Sequence, residues 1–411
     1  MKRSILTQPS AGDTRRSFFS RDLLSRMPRS FPRFTSALVA LAAFFTFQST
    51  QAATLLIDLE SNQTILEEAP AAPVSAEPML PLMAVYTALD IAKNTAFDLF
   101  ENVPNPWSGK VQNRKDAAES PQTVEFATIL QIALMNGSPD AVEAIAPSLG
   151  LTQAEFTQRM RMSAEKLGMT SSLFSYPCTN SEPCTSSAED IAHLALALFR
   201  DFSISRIWAA QQRFTASGLP PQTTSNFLLI HSPAISGIFI APDEKNSCAV
   251  VLSENPRNSG NRIRRLLAVE LNAPDQKALR DRLSALFLRA WRDYETLRIY
   301  DKGTIVAQIP VFKGRVRKVA GVLNEDLFAT LPREQMISNG SNAFDIRVSY
   351  SSLLVAPVAQ GDLIAEVKIY ADGREIANAP LAAAENVPLG GFWARFRDTL
   401  RIALDQDVLH P

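Results

Sequence analysis

Near Trp291 the spacing of apolar residues changes from three or four to two, so this chain cannot fold as one uniform layer. Before that point the pattern predicts a hairpin over Thr54–Leu66, turning at Ser61-Asn62-Gln63, and a helix through Leu82–Lys93 that starts near Pro78–Pro81. Proline fits a helix's first turn and is excluded deeper in. Further helices are predicted at 123–135, 139–147, 152–167, 188–200 and 261–270, with strands at Ile235–Ala241 and Cys248–Ser253. Beyond Trp291, short alternating runs follow at Thr304–Ile309, Val316–Val322, Phe344–Tyr350 and Leu363–Tyr370. Asp372-Gly373 marks a tight hairpin. The expected architecture is an α/β domain over 53–292, then a small all-β domain over 295–385.

The two ends carry different signals. Arg29 and Arg33 lead into an apolar run, Ala37–Phe47, and then Gln48-Ser-Thr-Gln-Ala52. That is the pattern of a signal peptide over 1–52 cleaved after Ala52, with Met27 as an alternative start. The run of about 11 residues is short for a membrane span of roughly 20. An uncleaved signal anchor is the competing reading. The pair Arg15-Arg16 lies too far from the run to belong to it. At the other end, 386–411, a helical wheel of Gly391–Leu404 puts Phe392, Trp393, Phe396, Leu400 and Leu404 on one face. Arg395, Arg397, Asp398 and Arg401 fall on the other. Such a helix suits a bilayer interface, and equally a terminal helix docked on its own domain.

Charge and ligand chemistry exclude several functions. Eight basic and two acidic residues lie in 1–52, so the remainder carries 33 basic against 40 acidic residues. An acidic body without a basic stripe argues against nucleic-acid binding. Three cysteines and three histidines are too few for a conventional zinc site, and no motif calls for a cofactor. Export would let Cys178 and Cys184, six apart in a Pro-rich loop, close a disulfide; three unpaired cysteines is the alternative. Cys248, in an apolar strand-like run, reads as a buried thiol.

Several segments resemble one family in order along 53–404. Leu55-Leu-Ile-Asp-Leu-Glu-Ser61, Ala164-Glu-Lys-Leu-Gly-Met-Thr170, Ser186-Ser-Ala-Glu-Asp-Ile-Ala192, Gly321–Arg333, Ala356-Pro357 and Gly390-Gly-Phe-Trp393 are similar to the D-alanyl-D-alanine carboxypeptidases, the low-molecular-weight penicillin-binding proteins. The resemblance implies a serine transpeptidase/β-lactamase-like α/β domain, an all-β domain and a C-terminal amphipathic membrane-anchor helix. It also implies removal of terminal D-Ala from peptidoglycan stem peptides through an acyl-serine. That chemistry uses S-x-x-K for the nucleophile and its base, S-x-N for proton transfer, and K-T-G for the substrate carboxylate.

Each motif is degenerate here. Counting from Asp58 puts Pro78 and Pro81 at the serine and lysine positions. Gly137-Ser138-Pro139 occupies the second motif, and Phe239-Ile240-Ala241 the third. Ser163-Ala-Glu-Lys166 and Ser259-Gly-Asn261 satisfy motif spellings in the wrong places. Ser75 has Pro78 where its base should stand. His193 reads as a core histidine, and His231 and His410 have no recognisable partners. The expectation is an exported, periplasmic protein attached peripherally to the inner membrane. It would be catalytically silent and bind a peptidoglycan stem peptide or envelope proteins. The alternatives are an active D,D-carboxypeptidase with displaced residues such as Ser138 or Ser75, and a structural protein whose β domain is the working part.

Overall fold

The computed structural model describes residues 52–108, 121–241, 246–255, 264–339, 344–350 and 353–404; for residues 338, 339, 401, 403 and 404 only the backbone is described. Residues 1–51 of the predicted signal peptide, Ser259-Gly-Asn261 and His410 lie outside that set.

The first half is built on a five-stranded antiparallel sheet. Its strands are β1 (Ala53–Asp58), β2 (Gln63–Glu68), β3 (Ile235–Ile240), β4 (Ser247–Asn255) and β5 (Arg264–Ala273), in spatial order β2-β1-β5-β4-β3. Side chains alternate between the faces of each strand, and both faces are covered. Leu55, Phe239, Val250 and Leu267 enter a core shared with α1 (Leu80–Thr95), α2 (Phe126–Asn136), α3 (Pro139–Ser148), α4 (Gln153–Lys166), α5 (Ala188–Asp201) and α6 (Ser203–Ala209). Leu56, Ile240, Val251 and Leu266 enter a second core with α7 (Phe227–His231) and α8 (Gln276–Asp293).

Local chemistry explains the helix ends. Ser138, Thr152, Ser187 and Asp275 each accept a backbone N–H as N-caps, and Glu155 completes a capping box with Thr152. Helix α1 is apolar almost all round through Leu89, as a helix enclosed by others must be.

Of the helix predicted at 261–270, the described part, 264–270, is strand β5. Leu266 to Leu271 is buried on both faces at the centre of the sheet, and such a strand reads as a continuous apolar run whose period cannot distinguish it from a helix. The helix forms one segment later, as α8. Residues 123–125 are likewise strand before α2 begins at Phe126. His193 is exposed on α5 rather than part of the core.

The second half contains β6 (Tyr294–Tyr300), β7 (Ile305–Pro310), β8 (Lys318–Leu323), β9 (Leu327–Pro332), α9 (Arg333–Asn339), β10 (Asp345–Ser349), β11 (Leu363–Ala371) and β12 (Arg374–Ala383). Five strands form an antiparallel sheet in order β7-β8-β12-β11-β10, while β6 pairs with β9. Asp372 and Gly373 both adopt positive φ, 49° and 75°, as a two-residue turn matched to strand twist requires.

A buried polar network joins the halves. The Arg264 Nε donates to Asp58 at 2.7 Å, and its Nη1 donates to the Tyr294 carbonyl at 3.1 Å. The Thr296 hydroxyl also donates to Asp58, and it shares a 2.9 Å hydrogen bond with Thr330, which meets the Ser61 hydroxyl at 2.7 Å. Nearby on β5, Glu270 is bonded by the Thr54 hydroxyl and paired with Arg282, both at 2.7 Å. Burial nevertheless pushes its carboxyl up to about 7.

Candidate functional site

Most of the positions that the sequence count assigns to the three motifs lie around one cavity. Pro78 lies in a single turn of 3-10 helix, Glu77–Met79, that runs into α1, and Pro81 occupies that helix's buried first turn. Proline's fixed φ and missing N–H cost nothing where the backbone donor is an orphan anyway. Gly137 closes α2 with φ of 66°, and Pro139 opens α3 directly after it. Ala241 follows β3, its N–H donating to the Cys248 carbonyl at 3.0 Å. Pro78, Pro81, Gly137, Pro139 and Ala241 all line one cavity of about 340 Å³.

The rest of its wall was not legible from the motifs. Leu80 and Val142 come from α1 and α3, and Tyr176, Pro177 and Cys178 from the loop before α5. That loop is tied by the Cys178–Cys184 disulfide, with Cα atoms 5.4 Å apart; Cys248 is buried and in no disulfide. The Pro-rich spacing Tyr176-Pro-Cys was the available signal, but nothing in sequence brings it to Pro78. Glu77 supplies the one formal charge on the described wall. Burial raises the Tyr176 phenol's pKa, helped by the negative fields of Glu143 and Asp140.

Among the described residues, neither serine nor lysine lines this cavity. The Ser138 hydroxyl accepts the Ala141 N–H at 3.4 Å as the α3 cap. Ser75 pairs in a short strand with Thr185. Ser163 and Lys166 line a different cavity, of about 510 Å³, between α1 and α4, and the Lys166 amine is bonded to Asp90 at 2.8 Å. The described wall of the first cavity, the one lined by Pro78 and Ala241, can hold an apolar group by burial and offers no nucleophile–base pair.

The third motif position is only partly at the cavity. Ala241 lines it, but Phe239 and Ile240 point to opposite cores, each 1 % exposed. Backbone geometry holds the strand's start. Gly237 has φ of 136°, and a Cβ there would meet the Ala209 carbonyl oxygen at 2.6 Å, so a side chain is excluded where α6 ends. At the strand's end, the Ser225 hydroxyl bridges the carbonyls of Ile240 and Met135, joining the strand to α2.

The C-terminal helix α10 spans Phe392–Leu404. Asp398 accepts the Lys313 N–H at 2.7 Å, so it is the polar side that meets the β domain. Phe392, Trp393, Phe396 and Leu400 are exposed, Trp393 by 77 %, and the Phe392 and Phe396 rings stack. The side chain of Leu404 is outside the described set. No described helix is long and apolar enough to cross a membrane, and no described His, Cys, Asp and Glu cluster could hold a metal.

Two family models match the chain: D-alanyl-D-alanine carboxypeptidase over residues 42–237, and the penicillin-binding protein 5 C-terminal domain over 294–389. The first match stops just short of Phe239. Among curated relatives, the D-alanyl-D-alanine carboxypeptidase DacF of Bacillus subtilis is 23% identical over 80% of this chain and 83% of its own length. DacA of Escherichia coli is 24% identical over 66% of this chain and 65% of its own, slightly under two thirds of that protein. Among solved structures, penicillin-binding protein 5 of Haemophilus influenzae aligns with a TM-score of 0.67 at 19% identity, over 84% of this chain and 99% of its own. DacD of Francisella tularensis aligns at 0.60 and 16%, over 82% and 93%. At such identities the structural likeness concerns the fold.

Proposed function

The chain belongs to the D-alanyl-D-alanine carboxypeptidase family, and from that premise we propose that it serves peptidoglycan metabolism as a binding or scaffold member that no longer acylates. The observation that carries this reading is the cavity itself. It gathers the positions counted as the first two motifs and the last position of the third, and on that count prolines, a glycine and an alanine stand where a hydroxyl and an amine are needed. A proline offers neither a nucleophile nor a base, so the acyl-serine route has no starting atom there. Binding needs only a shaped wall, and the family models match the chain around this one over 42–237 and 294–389.

The test is reaction of purified 53–411 with a fluorescent penicillin, read by gel fluorescence and intact mass. The expected result is an unmodified mass from a protein shown to be folded. A covalent adduct would overturn the reading, and mapping it to Ser138 or Ser75 would establish the displaced-residue alternative.

Location is part of the same proposal: periplasmic, with α10 against the inner-membrane surface. The exposed aromatic face supports it, because a helix docked on its own domain would bury that face, and here the polar side is docked instead. Deleting 386–411 is expected to move the protein from the membrane fraction to the soluble one. Retention at the membrane would assign attachment to the N-terminal segment.

A further inference from the structure

Within that reading, on which this inference rests, the wall chemistry constrains what is bound. The resemblance implies a substrate held by its terminal carboxylate, which demands a cation. Among the described wall residues there is none, and the one formal charge is the carboxylate of Glu77. A carboxylate entering an apolar cavity beside another carboxylate would lose its hydration and gain repulsion. Glu143, whose negative field acts on the Tyr176 phenol, adds to that sign.

The apolar part of the wall has its own character. Pro78, Pro81, Pro139 and Pro177 face it together with Leu80 and Val142. Proline has no side-chain rotamer entropy to lose, so these surfaces are ordered before anything binds. Loop closure by the Cys178–Cys184 disulfide restricts the remaining side. A rigid cavity of about 340 Å³ accepts a short segment, one small apolar residue and its neighbour, rather than a folded partner.

We infer that this cavity binds a cationic peptide segment, in which a small apolar residue or proline fills the proline-walled pocket and an adjacent ammonium or guanidinium pairs with Glu77. The charge preference of the site is thus the reverse of the one its family resemblance implies. Since Glu77 is exposed at the rim, its pairing contributes selection and salt dependence, and the proline walls contribute the burial.

The experiment uses the full-length chain and three peptides carrying a neutral fluorophore on the N-terminal amine, read by anisotropy: Ala-Pro-Lys-amide, Ala-Pro-norleucine-amide, and Ala-D-Ala-D-Ala with a free carboxylate. The lysine peptide is expected to bind most tightly, by about fivefold over norleucine, and to weaken as salt is raised from 50 to 300 mM. Glu77→Gln should remove that advantage and its salt dependence. Val142→Phe, which fills the cavity, should abolish binding of both amide peptides while circular dichroism stays unchanged. Equal or tighter binding of the carboxylate peptide would overturn the inference. So would binding that survives Val142→Phe, a Glu77→Gln variant that keeps the preference, or no binding by any peptide. Failure here is distinct from failure of the functional reading, which only a penicillin adduct sinks.

Discussion

Replacing Arg264 with alanine is expected to destabilise the protein by about 3–5 kcal/mol, the range for breaking one partner out of a buried ion pair. Asp58 is wholly buried and Arg264 is 1 % exposed. The variant leaves the Asp58 carboxylate with the Thr296 hydroxyl and the N–H groups of Glu60 and Ser61, and with no countercharge. It also frees the Tyr294 carbonyl and removes the cation from the Trp291 ring, 5.0 Å away. A thermal melt should show a midpoint lower by about 10 °C. Because the cost comes from the stranded charge, the double variant Asp58→Asn, Arg264→Met should recover part of it. A single variant that melts within about 2 °C of the parent would show that this network contributes little to stability. The network also tells why the halves stay in register, since Thr296 and Thr330 belong to β6 and β9 while Asp58 and Arg264 belong to the first sheet.

Much of this was legible in sequence, for identifiable reasons. Helices with a polar face and a capping residue, such as α3 behind Ser138 and α4 behind Thr152, announce both ends. The Asp372-Gly373 turn is specified by two residues that tolerate positive φ. Strand β5 was not legible, because burial on both faces erases the alternation that marks a strand. The cavity was half legible. Each motif position could be counted along the chain, but the Tyr176-Pro177-Cys178 wall is more than 90 residues from Pro78 in sequence, and only the fold brings them together. The same holds for Phe239 and Ile240. Sequence makes them part of one motif with Ala241, and strand alternation sends them to two different cores.

That separation leads to the second large effect. Phe239→Lys, which puts a lysine where the family resemblance would place that of K-T-G, is expected to destabilise the fold by several kcal/mol and to produce no penicillin adduct. Phe239 pairs in register with Val250 and packs in the core beneath the helices. A lysine there must either bury an ammonium without a partner or lose its proton, with its pKa driven down. Either course costs stability that Phe239→Leu, close to a volume-conserving swap, should not, at about 1.5 kcal/mol or less. Thermal melts of both variants, followed by labelling with fluorescent penicillin, make the comparison. If Phe239→Lys melted like the parent, its amine would have to reach the cavity, and the cleft would still hold a place for the missing cation. If it melts well below Phe239→Leu, the apolar replacement has been built into the packing of the first domain. A serine at 78 and a lysine at 81 would not then suffice for acylation, since Phe239 would still close its strand to charge.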